Sequence, residues 1–403
     1  MTDRPMTGVR VIEVAAWTFV PAAGAVLADW GADVVKIEHP LHGDPQRGLA
    51  AGGIVPDSAV NFIIEIPNRG KRSVGVDLAT DGGRELLSKL VAGADVFLTN
   101  FLPDARRRLC IEVEDIRAVN PDIVYVRGSG NGVRGPDAPK GGYDATSYWA
   151  RSGVASLVSQ GDEYPRTQPI AFGDIAGAQT IAGGIAAALF ARATTGEPSV
   201  VDVSLLGYGL WNASPHIVLS KMLGIPDVPR RPRDQSPNPI TGAYKTADGR
   251  TLQLVMLQSD RYWAKLCELL DRLDLVDDPR FLDARARGEN SAACVAELDA
   301  EFGRRTVAEC AGILSRQDGP WAVHQRPLDI FADEQVQANG FVRPVKAADG
   351  SEFDLIANPV QFDETPPSLV RAPEMGEHTE EVLLELGLGW EELADLKARE
   401  VIS

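Results

Sequence analysis

One aspartate stands where a carboxylate nucleophile could work. Asp174 lies in Ala171–Gly177, just before a long run of small residues that predicts a helix. An aspartate at such a place is commonly an N-cap that binds the first turn. The position also suits a nucleophile, because the helix dipole favours an ionised carboxylate and backbone N–H groups can hold an oxyanion. Gly173 and Gly177 would leave room for a bulky acyl group. Position alone leaves both roles open.

Two groups of basic residues offer charge for a phosphorylated ligand. Arg69, Lys71 and Arg72 precede a predicted strand, and Arg106–Arg108 lies on a short predicted helix. Most runs of charge are solvated surface. Two groups on loops beside a sheet edge could nevertheless bind a diphosphate.

A glycine-rich loop, Gly130–Gly135, matches the pattern G-x-G-x-x-G after a predicted strand. A dinucleotide-binding loop also needs an apolar helix to begin at its last glycines. Pro136 and Pro139 stand there instead. The sequence therefore argues against a dinucleotide site and leaves the loop as a contact for another ligand.

Composition excludes several classes of function. A net charge of -17 disfavours nucleic acid and anionic membrane surfaces as partners. The longest apolar run, Ile181–Phe190, is shorter than the roughly 18 to 20 residues of a membrane helix and predicts a buried helix. The cysteines show no C-x-x-C spacing, which favours a reducing, cytoplasmic location. His39 and His42 have no further ligands at matching spacing, so no metal is expected.

The elements that must position these residues alternate strand and helix. The pattern predicts strands at 9–14, 33–37, 73–77, 94–99, 123–126 and 200–203, and helices at 21–30, 81–91, 105–109 and 176–194. Such alternation predicts an α/β fold, a parallel sheet with helices on both faces. Its functional site should lie beyond the carboxyl ends of the strands.

A smaller unit is expected at about 225–325. The segment 226–239 holds five prolines and predicts a linker. Beyond it, Asp248 and Gly249 mark a β-hairpin, and helices are predicted at 260–273, 291–302 and 306–315. The tail from 330 holds a second hairpin signal and a terminal helix at 379–386.

Taken together, several segments resemble the class III CoA-transferase family, which includes formyl-CoA and carnitine CoA-transferases and the related α-methylacyl-CoA racemases. The matching segments besides that of Asp174 are Leu27–Pro40, Lys71–Leu78, Ala94–Pro103, Gly142–Asp144 and Gly196–Leu205. They occur in order over nearly the whole chain, which is more specific than any single motif.

The resemblance implies both a fold and a reaction. The fold would be a large Rossmann-like domain of residues 1–210, completed by 330–403, with a small α+β domain at 225–325, in an interlocked homodimer. Asp174 would take the family's catalytic place. It would form an aspartyl–acyl anhydride and then an aspartyl-CoA thioester, so that CoA passes from an acyl-CoA to a carboxylic acid. Coenzyme A would enter as a co-substrate, and no metal is needed.

The resemblance also implies contacts to coenzyme A. The positions that correspond to these contacts are Asn100, Phe101, Arg108, Lys140, Thr18, His39 and Val76. The chain departs from the family pattern at Ala79, where a lysine is usual, at Phe19–Pro21, where Ala-Gly-Pro is common, and at His39, where an arginine is common.

One position favours transfer over racemisation. The racemases typically have Gly-His-Asp where this chain has Gly142, Tyr143 and Asp144. Tyrosine titrates near pH ~10 and histidine near ~6.5, so Tyr143 is a poor proton shuttle at neutral pH. The alternatives that remain are a racemase and a non-catalytic acyl-CoA-binding relative. Asp144 either supports the substrate or bonds the nearby backbone, and we favour the backbone.

Overall fold

A computed structural model describes residues 4–49, 52–53, 60–160, 162 and 164–403. The chain divides into two compact units. The larger consists of residues 1–228 and 335–403, and the smaller of residues 229–334.

The larger unit is built on a six-stranded parallel sheet. The strands are β1 (Arg10–Val14), β2 (Asp33–Glu38), β3 (Arg72–Gly75), β4 (Val96–Thr99), β5 (Val124–Ser129) and β6 (Val200–Ser204). Their order is β3-β2-β1-β4-β5-β6. The winding therefore reverses between β1 and β4, where open α/β sheets bind ligands. The predicted α/β class and parallel sheet are confirmed.

Helices cover both faces of this sheet. They are α1 (Phe19–Asp29), α2 (Phe62–Asn68), α3 (Asp81–Ala92), α4 (Pro103–Leu109), α5 (Val113–Val119), α6 (Val154–Val158), α7 (Phe172–Thr195) and α8 (Leu205–Leu223). Successive strand residues point to opposite faces. Val11 joins a core with α1 and α7, whereas its neighbour Ile12 joins a second core with α3.

Helix α7 is the longest, and among the described residues it is the one helix whose length and composition would suffice to cross a membrane. A helix packed inside a protein meets the same criteria. Gly177, Ile181 and Ile185 are buried on one face of α7, and the two isoleucines belong to the core that α7 shares with α1.

Helix α8 was not predicted. Pro215 lies inside it, and its apolar residues are not gathered on one buried face, so the pattern that marks an amphipathic helix is missing. Instead, large apolar side chains remain exposed along it, among them Trp211, Val218 and Met222.

The smaller unit has its own core of Leu254, Trp263 and Phe302, among others. Its elements are β7 (Thr241–Lys245), β8 (Thr251–Val255), α9 (Ser259–Leu269), α10 (Ala284–Glu289), α11 (Ser291–Gly303), α12 (Val307–Leu314) and β9 (Trp321–Val323). The three strands form an antiparallel sheet, and the hairpin predicted at Gly249 is present.

The end of the chain returns to the larger unit. It forms α13 (Glu334–Ala338), β10 (Val342–Lys346), β11 (Glu352–Ile356), α14 (Thr379–Glu385) and α15 (Trp390–Ala398). Val382 and Leu393 enter the core of Ile12, and the Thr379 hydroxyl accepts a 3.0 Å hydrogen bond from the Gly75 N–H at the end of β3.

Candidate active site

The loops that follow β1 and β4 are tied together at the switch point of the sheet. The Asn100 side-chain amide donates to the Ala16 carbonyl at 2.6 Å, and its oxygen accepts the Ala16 N–H at 3.0 Å. The side chain predicted to grip coenzyme A therefore has both polar atoms bonded within the protein, where it holds the two strand ends together.

Trp17, which belongs to none of the sequence motifs above, lies in the loop after β1. Its φ of 68° places a bulky residue in the left-handed region, a strained conformation of the kind found at functional sites. Its N–H donates to Asp44 Oδ1 at 3.1 Å, and its ring meets Tyr143 edge to face at 5.7 Å. The sequence feature that could have pointed to it is a tryptophan three residues after the end of the first strand.

Two clefts adjoin this loop. The outer cleft, of about 450 Å³, is lined by His39, Asn100, Phe101 and Arg108, among others. The inner cleft, of about 260 Å³, is lined by Asn100, Phe101, Lys140 and Asp174, among others. Trp17, Asn100 and Phe101 line both. The structure thus places six of the predicted site residues on one continuous surface.

A third space lies on the far side of Asp174. This apolar cavity, of about 1110 Å³, is lined by Trp149, Ala155 and Ile170, among others. Tyr143, Asp144 and Asp174 line both it and the inner cleft. Asp174 therefore stands at the junction of the inner cleft and the apolar cavity.

Asp144, rather than Asp174, satisfies the start of α7. Its Oδ2 accepts the N–H groups of Gly173 at 3.0 Å and Asp174 at 3.3 Å. The N-cap residue is Ala171, in a left-handed conformation with φ of 53°. The N-cap role for Asp174 was wrong, and the backbone role favoured for Asp144 is confirmed. Because Asp144 occupies these two N–H groups, they are not free to hold an oxyanion.

The Asp174 carboxylate has no partner in the part of the chain that the structure describes. It is partly exposed and accepts no hydrogen bond from any residue that the structure describes. Burial raises its pKa to about 7, and the nearby Asp144 charge contributes to the rise. Burial also raises the pKa of Asp144. The Gln168 side chain and the two N–H donors lower this pKa, but burial has the larger effect. The sequence predicted that the helix N-terminus would keep the Asp174 carboxylate ionised. In the structure the N–H groups of that terminus donate to Asp144 instead.

Gly173 and Gly177 do not make room for an acyl group, contrary to expectation. A Cβ at Gly173 would lie 2.3 Å from Tyr148 Cγ and 2.4 Å from Asp144 Oδ1. A Cβ at Gly177 would lie 2.8 Å from the ring of Phe19 on α1. Both glycines permit close packing of α7, and the space for a ligand lies elsewhere.

The glycine-rich loop opens no helix, as expected, because Gly130–Gly142 contains none. A Cβ at Gly130 would lie 2.6 Å from the Gly142 Cα, so two stretches of backbone cross there. The loop lines the inner cleft through Gly130 and Gly132, and Gly142 lines it from the second stretch. Its glycines shape a wall of this cleft.

The first basic group is structural. Arg69 pairs with Asp29 at 2.7 Å, and Lys71 pairs with Glu13 at 2.7 Å, all four side chains being buried. Arg72 forms ion pairs with acidic side chains of the same unit. These three cations are occupied within the protein and do not form the diphosphate site that the sequence suggested.

The second group leaves one cation for a ligand. Arg106 pairs with Glu112 at 2.9 Å, and Arg107 pairs with Asp104. Arg108 is exposed, lines the outer cleft and has no ion-pair partner among the residues with described positions.

The remaining predicted contacts differ in their surroundings. Lys140 lines the inner cleft and pairs with Asp137 at 2.7 Å. The Thr18 hydroxyl donates to Gln46 Oε1 at 3.0 Å, and Val76 is 2% exposed within the core. The structure does not bring the side chains of Thr18 and Val76 to either cleft.

The comparisons with known proteins agree over nearly the full length. Residues 6–379 match the family model CoA-transferase family III. The chain is 30% identical to (R)-2-hydroxy-4-methylpentanoate CoA-transferase of Clostridioides difficile, covering 98% of this chain and 99% of that one. It is 32% identical to cinnamoyl-CoA:phenyllactate CoA-transferase of Clostridium sporogenes, covering 97% and 95%. A solved CAIB/BAIF family protein from Brucella suis matches with a TM-score of 0.82 at 29% identity, covering 96% and 100%.

Proposed function

The chain belongs to CoA-transferase family III, and we propose that it moves CoA from an acyl-CoA thioester to a carboxylic acid through covalent intermediates on Asp174. One observation carries the proposal. The Asp174 carboxylate has no described protein partner and stands where the inner cleft meets the apolar cavity.

The clefts offer a path of suitable chemistry for the donor. Arg108 and His39 in the outer cleft would meet the phosphate and nucleotide end of coenzyme A. Phe101 and Lys140 would flank the pantetheine arm in the inner cleft. The thioester then reaches Asp174, with the acyl chain in the apolar cavity.

The reaction conserves the thioester. An ionised Asp174 oxygen attacks the donor carbonyl, the C–S bond breaks, and an aspartyl–acyl anhydride and CoA thiolate result. The thiolate attacks the aspartyl carbonyl of the anhydride, which releases the donor acid and leaves an aspartyl-CoA thioester. The acceptor carboxylate attacks that thioester to give a second anhydride and the thiolate. Attack of the thiolate on the acceptor carbonyl yields the new acyl-CoA and restores Asp174.

Trapping tests the proposal directly. With acyl-CoA and hydroxylamine, we expect a hydroxamate on the peptide that carries Asp174, together with loss of activity. Active enzyme without this modification would contradict the mechanism. Exchange of an α-proton for deuterium from heavy water, with no acceptor acid present, would instead indicate the racemase alternative. Thioester turnover that persists without any modification would indicate a different nucleophile.

The pH dependence should report the Asp174 carboxyl. Attack needs the ionised form, so kcat/KM should rise with pH and level off above about 7, the pKa that burial and Asp144 produce. Asp144→Asn removes the neighbouring charge while its amide oxygen can still accept the two N–H groups. We expect its pH profile to shift to lower pH, whereas Asp122→Asn at an exposed site should leave the midpoint unchanged. A midpoint that does not move in Asp144→Asn would contradict the assignment.

The proposal includes a homodimer, for which α8 provides apolar surface. Trp211 and Met222 are 76% and 77% exposed. Several large apolar side chains exposed together on one helix are typical of a surface that binds another protein. We expect the double substitution Trp211→Glu and Met222→Glu to halve the mass measured by light scattering. Trp390→Glu, at a 67% exposed tryptophan on α15, is the matched control and should remain dimeric. A monomeric native chain, or a double variant that stays dimeric, would contradict the use of this surface.

A further inference from the structure

The apolar cavity beside Asp174 is walled mainly by carbon. Its small and apolar lining residues include Ala145, Trp149, Ala150, Ala155, Pro169 and Ile170. The Trp149 indole N–H donates to the Arg166 carbonyl at 3.0 Å, which fixes one wall. Its volume of about 1110 Å³ is that of a site for a sizeable organic group and is far more than an acetyl or formyl group fills.

The charges around this cavity are predominantly negative. Asp144, Asp162, Asp174 and Asp227 line it, and Arg166 is the one cation among the described lining residues. The Arg166 guanidinium is already paired with Asp162 at 2.7 Å. A second carboxylate on the acyl chain would therefore meet carboxylates of like charge and find no unpaired cation among the described lining residues.

We infer that the acyl group transferred is bulky, uncharged and apolar, such as a branched-chain or aromatic acyl group, and that dicarboxylic acyl groups are rejected. The inference rests on the proposed function, because it names the substrate class of that same site. An apolar chain lies against the carbon walls of the cavity and leaves the Arg166–Asp162 pair intact. Apolar pockets discriminate by size, at about 10-fold or more per methylene group in favourable cases.

The test compares donors in the first half-reaction, in which hydroxylamine traps the acylated enzyme, so that no acceptor acid has to fit the cavity. We expect the second-order rate constant for this single release of CoA, which is kcat/KM for the donor half-reaction, to be about 100-fold larger for 4-methylpentanoyl-CoA and 3-phenylpropanoyl-CoA than for succinyl-CoA and glutaryl-CoA. Equal or faster release from the dicarboxylic donors would overturn the inference and leave Asp174 chemistry intact. If no donor modifies Asp174, the proposed function itself fails.

Two variants connect the preference to the cavity. Ala150→Phe fills part of the cavity, so we expect kcat/KM for 3-phenylpropanoyl-CoA to fall by about 10-fold or more while that for acetyl-CoA changes little. Ala394→Phe on the exposed face of α15 is the matched control and should change neither donor.

Asp162→Asn frees Arg166 without filling space. We expect it to raise kcat/KM for succinyl-CoA by roughly 3-fold relative to 3-phenylpropanoyl-CoA, the size of effect that one solvent-exposed ion pair has. Unchanged donor ratios in both Ala150→Phe and Asp162→Asn would show that this cavity does not hold the acyl group.

Discussion

Asp174→Asn is expected to lower the rate of CoA transfer by at least about 10³-fold, the loss that accompanies removal of a covalent nucleophile. An amide cannot form the anhydride or the thioester. The substitution should leave the fold intact, because Asp144 and not Asp174 binds the first turn of α7. The effect should therefore appear in kcat, with binding of acyl-CoA largely retained.

The same substitution should stabilise the protein at neutral pH. The Asp174 carboxyl has a pKa of about 7 in the folded chain and 3.8 in a model compound. Because the folded pKa is the higher one, this group stabilises the folded chain below pH 4, and the stabilisation is lost as the pH rises to 7. At about 1.4 kcal/mol per pKa unit, the ionised side chain costs at most about 4 kcal/mol above pH 7. The amide avoids this cost.

Unfolding in urea measures this difference. The free energy of unfolding of Asp174→Asn should exceed that of the native chain at pH 8 and approach it near pH 4. Asp122→Asn, at an exposed aspartate, should show neither the stabilisation nor the loss of activity. A variant that keeps more than about a tenth of the native rate would contradict the nucleophile role.

Glu13→Gln is expected to destabilise the protein by about 3 to 5 kcal/mol, as breaking a buried ion pair does. Glu13 on β1 is fully buried and accepts hydrogen bonds from Lys71 at 2.7 and 2.8 Å and from Lys36 at 3.2 Å. Its loss would leave two buried ammonium groups sharing fewer acceptors. Because Lys36 also pairs with Asp44, which holds the Trp17 N–H, we expect KM for acyl-CoA to rise as well.

Lysine titration gives this prediction a pH dependence. Burial lowers the pKa of Lys71 to about 7 even beside Glu13. Burial also lowers the pKa of Lys36, but the negative charges of Asp44 and Glu13 have a larger effect, so the pKa of Lys36 is raised. Without Glu13 the pKa of Lys71 falls further. An unfolded lysine keeps its proton up to about pH 10, so stability rises as pH increases above the folded pKa.

The loss of unfolding free energy in Glu13→Gln should therefore be largest near pH 6 and smaller near pH 9. Glu85→Gln removes an exposed pair with Lys89 on α3 and serves as the control. We expect it to change the free energy of unfolding by about 0.5 kcal/mol or less at either pH. If the two variants are equally stable, the buried cluster is not a stabilising network.

The sequence alone determined the alternation of strands and helices, because β-branched runs and small-residue runs specify local backbone structure. It predicted the strands of the parallel sheet and the helix that presents Asp174. An ordered set of segments also predicted the family, which the comparisons confirm. The sequence did not predict helix α8, because the apolar side chains of α8 are not gathered on one buried face.

Only the tertiary structure decided which side chains are available for chemistry. Asn100 binds Ala16, 84 residues away, and Asp144 reaches the start of α7 from 30 residues away. Lys71, which resembled a surface cation, meets Glu13 across 58 residues in the core. The partners of a side chain depend on which strands and loops pack beside it in the folded chain. Local sequence does not specify which distant segments those are. Asp174 lacks a partner among the described residues because Asp144 binds the N–H groups at the start of α7, and that contact exists only in the folded chain.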